Sequence, residues 1–334
     1  MLGVLAVHLS QHFPTTPFIK SVMVVGMYGV QMFFVISAWL GCESMYRQSY
    51  SLKHYYCSRA LRILPIYYAA IIAAMLYVCM GTNGFSSDIF HLGWFRYFLG
   101  LNTILPSASF WQWNNAFAFW TMSEFIYFYI SLPFIIKLVN SWNKSILFFL
   151  LCVLLAELSP KAIGWFSFHY GQGTIIEQFS EMVNFIGYSP LCQMQYFALV
   201  ILGYFAIRDN KKSFAVIIMI LVSISSIICD SSALLIAALT CIFILTVKSA
   251  DVLLSGSSLT CLKLISKYSF HIYLAHMLSL QIAGRLAGIV GESCCFYVVK
   301  FLFFFFILLL LCYYLEFVQH ITVILVNRQR EKRI

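Results

Sequence analysis

Hydrophobic positions in this chain fall in long unbroken runs instead of alternating with polar ones. FLFFFFILLLLCYYL (residues 301–315) and SFAVIIMILVSISSIIC (213–229) lack the period of two that a lipid-facing barrel strand requires, so they predict helices. At about 20 apolar residues per crossing, the runs predict about ten membrane helices. They fall near 1–13, 22–46, 61–80, 118–136, 145–159, 194–207, 213–229, 232–247, 267–290 and 296–326. The division of 213–247 rests on the short polar hairpin Cys229-Asp230-Ser231-Ser232. The predicted fold class is all-α: a polytopic integral membrane protein, with residues 1–334 as a single domain.

Composition agrees with the pattern. Hydrophobic residues make up 62% of the 334 and charged residues 10%, a balance that no water-soluble domain of this size could bury in one core. Basic residues give an independent check. With a cytoplasmic N-terminus, sixteen of the 21 Lys and Arg residues fall on the inner side of an alternating topology, Arg59, Arg62, Arg208 and Lys267 among them. Lys20, Arg96, Lys161, Arg285 and Lys300 are left outside, and both termini are expected in the cytoplasm. The net charge of +9 then reflects topology and attraction to anionic lipid headgroups, with no call for nucleic acid. The first segment is short: 13 residues span about 20 Å against a hydrocarbon core of about 30 Å. Either it does not cross alone or the chain begins upstream of Met1. It has neither the basic leader nor the small-residue cleavage site of a signal peptide.

Several chemistries are excluded. The 11 cysteines lie mostly within apolar runs without a C-x-x-C, which indicates neither a zinc site nor a disulfide framework. No Walker loop, dinucleotide fingerprint, H-E-x-x-H or G-x-S-x-G occurs. No internal repeat suggests a transporter built from inverted halves.

What remains is a set of polar residues inside or beside the helices: His8, Arg59, Arg62, Glu124, His271, His276 and Glu316. Glu124 is the only acid in FAFWTMSEFIYFYISLPFI (117–135), where a carboxylate costs roughly 2.5–3.5 kcal/mol to insert, so it calls for a partner or a task. Arg59-x-x-Arg62 places two planar forks on one helix face, a geometry suited to phosphate. Counting residues from the outer helix ends puts His8 and Glu124 at similar depth, which predicts an acid/base pair with Glu124 orienting the imidazole. Each residue also has a plainer reading. A lone intramembrane His often bonds a neighbouring helix, and an Arg at a helix end often only marks topology. For His12, His54, His91, His169 and His320 the plainer reading is preferred.

In this order and spacing, the motifs resemble the acyltransferase 3 superfamily from end to end. They are His8, GVQMFFVISAWL (29–40), RALRILPIYY (59–68), WTMSEFIYFY (120–129), QYFALVILGY (195–204), YSFHIYLAH (268–276) and YYLEF (313–317). The resemblance implies a multi-pass enzyme of the bacterial inner (plasma) membrane that uses cytosolic acyl-CoA, most simply acetyl-CoA, and no metal. It would acylate a hydroxyl of an extracytoplasmic surface glycan or its lipid-linked saccharide precursor. His8 matches the family's acyl-transfer histidine, Glu124 the acid of its W-[ST]-x-x-E-like motif, and Arg59 and Arg62 the basic pair near the acyl-CoA entrance. His8 would deprotonate the acceptor or carry the acyl group itself. Ser37, Ser123, Tyr268 and Ser269 are positional candidates for an oxyanion donor, and His276 for a supporting role. Two departures stand out. The family's Arg about ten residues before the His would precede Met1, which again predicts an upstream start, and Ala38 follows Ser37 where Gly is usual. A transporter or flippase for a lipid-linked or acylated small molecule, its charges lining a pathway, is the alternative of another class. A non-catalytic scaffold is the third reading. The aromatics Trp94, Trp111, Trp113 and Trp165 are candidates to stack on the acceptor's sugar rings or to form the interfacial belt.

Overall fold

The structure, a computed structural model, describes residues 1–46, 51–81, 93–104, 118–170, 186–229, 231–250, 257–290 and 296–331. Trp111, Trp113 and His91 lie outside them, and the side chains of Trp165 and His169 are not among those described. The described residues form helices without a strand.

All ten predicted segments are helical. The chain opens with α1 (Leu2–His12), then α2 (Pro17–Val24), a 3-10 turn (Val25–Tyr28) and α3 (Gly29–Tyr46), the last three running on as one apolar rod. Next come α4 (Leu52–Gly81), the short α5 (Gly93–Phe98), α6 (Trp120–Leu138) and α7 (Trp142–Tyr170). The remainder is α8 (Pro190–Arg208), α9 (Lys212–Ile228), α10 (Ser232–Ala250), α11 (Ser257–Val290) and α12 (Phe296–Glu331). Among the described residues, seven helical stretches are long and apolar enough to cross a membrane, and α9 and α10 are shorter apolar helices. The protein is an all-α, multi-pass integral membrane protein.

Burial follows from composition. α8 is the inner post of the bundle: Phe197 to Leu202, Phe205 and Ala206 are fully enclosed, and α3, α7 and α10 pack around it. α9, α7 and α12 instead turn Ile, Leu and Phe outward, as lipid-facing helices should. α11 and α12 form the most extensive pair and lean on α4. α1 sits between the 3-10 turn, α3 and α11, which positions His8.

Basic residues of both groups make contacts between helices. Arg208 Nη2 donates to the Asn140 carbonyl at 2.6 Å, and Lys267 pairs with Glu316 at 2.6 Å. From the other group, Lys300 Nζ donates to the His12 carbonyl at 3.2 Å and Arg285 Nη1 to that of Tyr77 at 3.4 Å.

Candidate active site

Arg59 and Arg62 lie one turn apart on α4, just before Pro65, which has no N–H to offer the Leu61 carbonyl and so loosens the helix there. Arg59 is held in place. Its Nη2 donates to Ser44 Oγ at 2.7 Å, and its guanidinium lies 5.0 Å from the Tyr129 ring centroid. Both arginines border a cavity of about 510 Å³ lined by residues of α3, α4, α6, α11 and α12. Phe33, Phe125 and Phe270 form apolar wall, and Ser37 and Ser269 also line it. A smaller groove of about 270 Å³, lined by His54 and Ser58, shares Arg62 and Gln319 with the cavity.

The third cation of the cavity is Lys267. Its Nζ bonds Glu316 Oε1 at 2.6 Å, and the Tyr268 hydroxyl donates to the same oxygen at 3.1 Å, joining α11 to α12. Three cations thus face one carboxylate, an electrostatic balance that favours an anionic ligand. Tyr268 is engaged with Glu316, and the Ser269 hydroxyl donates to the Ser266 carbonyl at 2.8 Å.

His271, one turn beyond Lys267 on α11, also lines the cavity. It is 5% exposed, and neither ring nitrogen makes a hydrogen bond. The Lys267 backbone and the Gln319 side chain are polar neighbours of the ring. Site assignment from the sequence omitted both Lys267 and His271. Their signal was the four-residue spacing in KYSFH, which puts them on one helix face.

His8 lies apart from the cavity-lining residues. Its Nδ1 meets Gln11 Oε1 at 3.0 Å, a contact that suits the tautomer with the proton on Nδ1 and the lone pair on Nε2. Its ring stands 5.2 Å, centroid to centroid, from that of His276. His276 is fully buried. Its Nδ1 donates to the Tyr273 carbonyl at 2.6 Å, and its Nε2 has no partner. The Tyr273 hydroxyl accepts from Thr121 at 2.9 Å, and the Tyr273 ring stands 6.2 Å from Phe33, part of the cavity wall. A relay of ring contacts, from Phe33 to Tyr273 to His276, thus links the cavity wall to the two histidines.

The predicted His8–Glu124 pair does not form. Depth along a helix does not fix direction around it. α6 offers Thr121 to α11, while Glu124, rotated about 60° from Thr121, faces residues 99–104 after α5. There it is buried near Thr103, with Oε1 and the Thr103 hydroxyl both lacking a hydrogen bond. Ser123 also turns to this segment and donates to Asn102 Oδ1, while Tyr127 donates to the carbonyl of Gly100, whose φ of +68° marks the turn. Glu124 thus belongs to a buried polar cluster separate from His8.

Helices, a cation-bordered cavity and a separate histidine pair together define a multi-pass membrane protein with a basic cavity among its helices. A family model for an acyltransferase domain matches residues 1–317. The chain belongs to that family, acyltransferase 3, and is a membrane acyltransferase. No curated protein and no solved structure matches it.

Proposed function

We propose that this acyltransferase takes an acyl group, most simply acetyl, from cytosolic acyl-CoA and transfers it to a hydroxyl of an extracytoplasmic surface glycan or its lipid-linked precursor. The membrane would be the bacterial inner membrane. The observation behind the reading is the cavity: Arg59, Arg62 and Lys267 border a space of about 510 Å³ whose remaining wall is largely aromatic and aliphatic. Guanidinium forks suit the phosphates of the donor, and an apolar lining suits the thioester arm. Beyond Phe33 and Tyr273, His8 supplies a base at Nε2 with His276 at its side.

In the step proposed, the acceptor O–H gives its proton to His8, and the oxygen attacks the thioester carbon. The C–S bond then breaks, and the proton leaves with the CoA sulfur. Glu124 takes no part through His8.

The test is transfer of radiolabelled acetyl from acetyl-CoA to surface glycan in membranes expressing the full chain. Label in the glycan, absent with His8→Ala at equal expression, is the expected result. Absence of label with folded protein and several acyl-CoA donors would overturn the reading in favour of transport.

A further inference from the structure

His271 is the one cavity-lining imidazole among the described residues, and both of its nitrogens are buried without a bond. A buried polar atom left unsatisfied costs free energy, so such a ring is open to a partner that enters the cavity. The chemistry of that partner can be read from the ring. In its neutral form imidazole offers one N–H donor and one lone pair. A phosphate oxygen answers only the donor. An amide answers both, since its carbonyl accepts and its N–H donates.

Position points the same way. His271 lies about 6 Å along α11 from Lys267, on the side leading to His276, and the helix rise puts His276 about 7.5 Å further on. Lys267, Arg59 and Arg62 already supply charge to the cavity, with Glu316 the opposing carboxylate and Tyr129 beside the arginines. His271 thus stands between the cations and the histidine pair, where an arm running from phosphates to a thioester would pass. The pantetheine arm of CoA carries two amides.

We infer that His271 is a donor-binding residue that recognises an amide of the pantetheine arm, pairing one ring nitrogen with its carbonyl and the other with an N–H. The inference rests on the acyl-CoA reading above and goes beyond it, because it divides the cavity into a phosphate part and an amide part.

Binding of CoA and of adenosine 3′,5′-bisphosphate, which lacks the arm, is measured calorimetrically on the full chain in lipid nanodiscs. His271→Leu is expected to weaken CoA about tenfold, as befits two modest hydrogen bonds, and to leave the bisphosphate unchanged. His271→Gln, which keeps one donor and one acceptor, is expected to stay within about threefold of the parent chain. Size-exclusion profiles and thermal midpoints confirm that both variants fold; should His271→Leu fail to fold, His271→Phe, which fills a similar volume with neither donor nor acceptor, takes its place with the same expected loss of about tenfold. Equal weakening of both ligands would assign the imidazole to phosphate and overturn the amide assignment. CoA binding indifferent to every substitution would remove His271 from the donor site while leaving the acyl-CoA reading intact. A parent chain that binds neither ligand would overturn both.

Discussion

His8 on α1 and His276 on α11 stand with ring centroids 5.2 Å apart and planes inclined by 40°, and the Nε2 of His276 is buried without a partner. Two helices far apart in sequence thus bring a base and an unused acceptor together. The arrangement predicts that His276 steadies the proton His8 takes up. His276→Asn keeps a donor for the Tyr273 carbonyl but deletes Nε2. It should lower kcat of acetyl transfer by about 100-fold, the low end of acid/base effects, with KM for acetyl-CoA unchanged. Steady-state kinetics on the purified variant in nanodiscs decide it; a change in KM alone would make the contact purely structural.

This pairing also marks where sequence reading stops. Unbroken apolar runs identified the long helices of the bundle, because the bilayer demands one continuous hydrophobic stretch per crossing, but not α2 or the short α5. Arg59 and Arg62 were legible because their spacing is local to one helix. His8 and Glu124 were matched by depth, but depth carries no direction: the neighbour of His8 was set by the way α1 lies on the 3-10 turn and α11. His271 was seen as an embedded polar residue and passed over. Only packing reveals that it borders a cavity with both nitrogens bare.

Arg59 tests the proposed phosphate part of the cavity. The side chain is fixed by Ser44 and by the Tyr129 ring, so its fork is pre-set for an anion. Arg59→Lys keeps the charge and loses the fork, and is expected to raise KM for acetyl-CoA about tenfold while kcat stays within about twofold. Ser44→Ala should raise KM by a smaller factor, since it only unfastens the guanidinium. Initial rates over a range of donor concentrations separate the two parameters.

Asp209 gives the fold a pH dependence outside the membrane spans. Its Oδ1 accepts from Arg208 Nε at 2.8 Å, and its Oδ2 accepts from the Trp142 backbone N–H at the start of α7, also at 2.8 Å. The bond from Arg208, opposed by partial desolvation and joined by the backbone bond, holds the carboxyl below its usual range. A depressed carboxylate stabilises the fold at pH values above its unfolded pKa, and that contribution is lost as pH falls through the folded one. Asp209→Asn should therefore lower the thermal midpoint at neutral pH, and the difference from the parent should shrink as the solution is taken into the acid range below pH 4, near the unfolded value. Tryptophan fluorescence melts at several pH values provide the check; a gap independent of pH would mean that Asp209 acts only as a polar spacer.

Gly26 bears on the seat of His8 through backbone packing alone. In the 3-10 turn it faces Gly3 of α1, and a Cβ built there would lie 2.2 Å from the Gly3 carbonyl oxygen and 2.5 Å from its carbon. Both are backbone atoms, so no side-chain rotation can relieve the clash, and α1 must move away as a body. Gly26→Ala is expected to cost about 1–3 kcal/mol, the range for overpacking a close contact. Because α1 carries His8, it should also slow transfer well beyond the loss of folded protein. Gly288→Ala is the matched control: it lies in α11 with nothing within 4 Å of the new Cβ, and alanine suits a helix interior better than glycine does. Thermal midpoints and turnover of the two variants, measured side by side, separate the effects. A Gly26→Ala chain as stable and active as Gly288→Ala would mean that α1 is not held against the turn, and that the seat of His8 is set elsewhere.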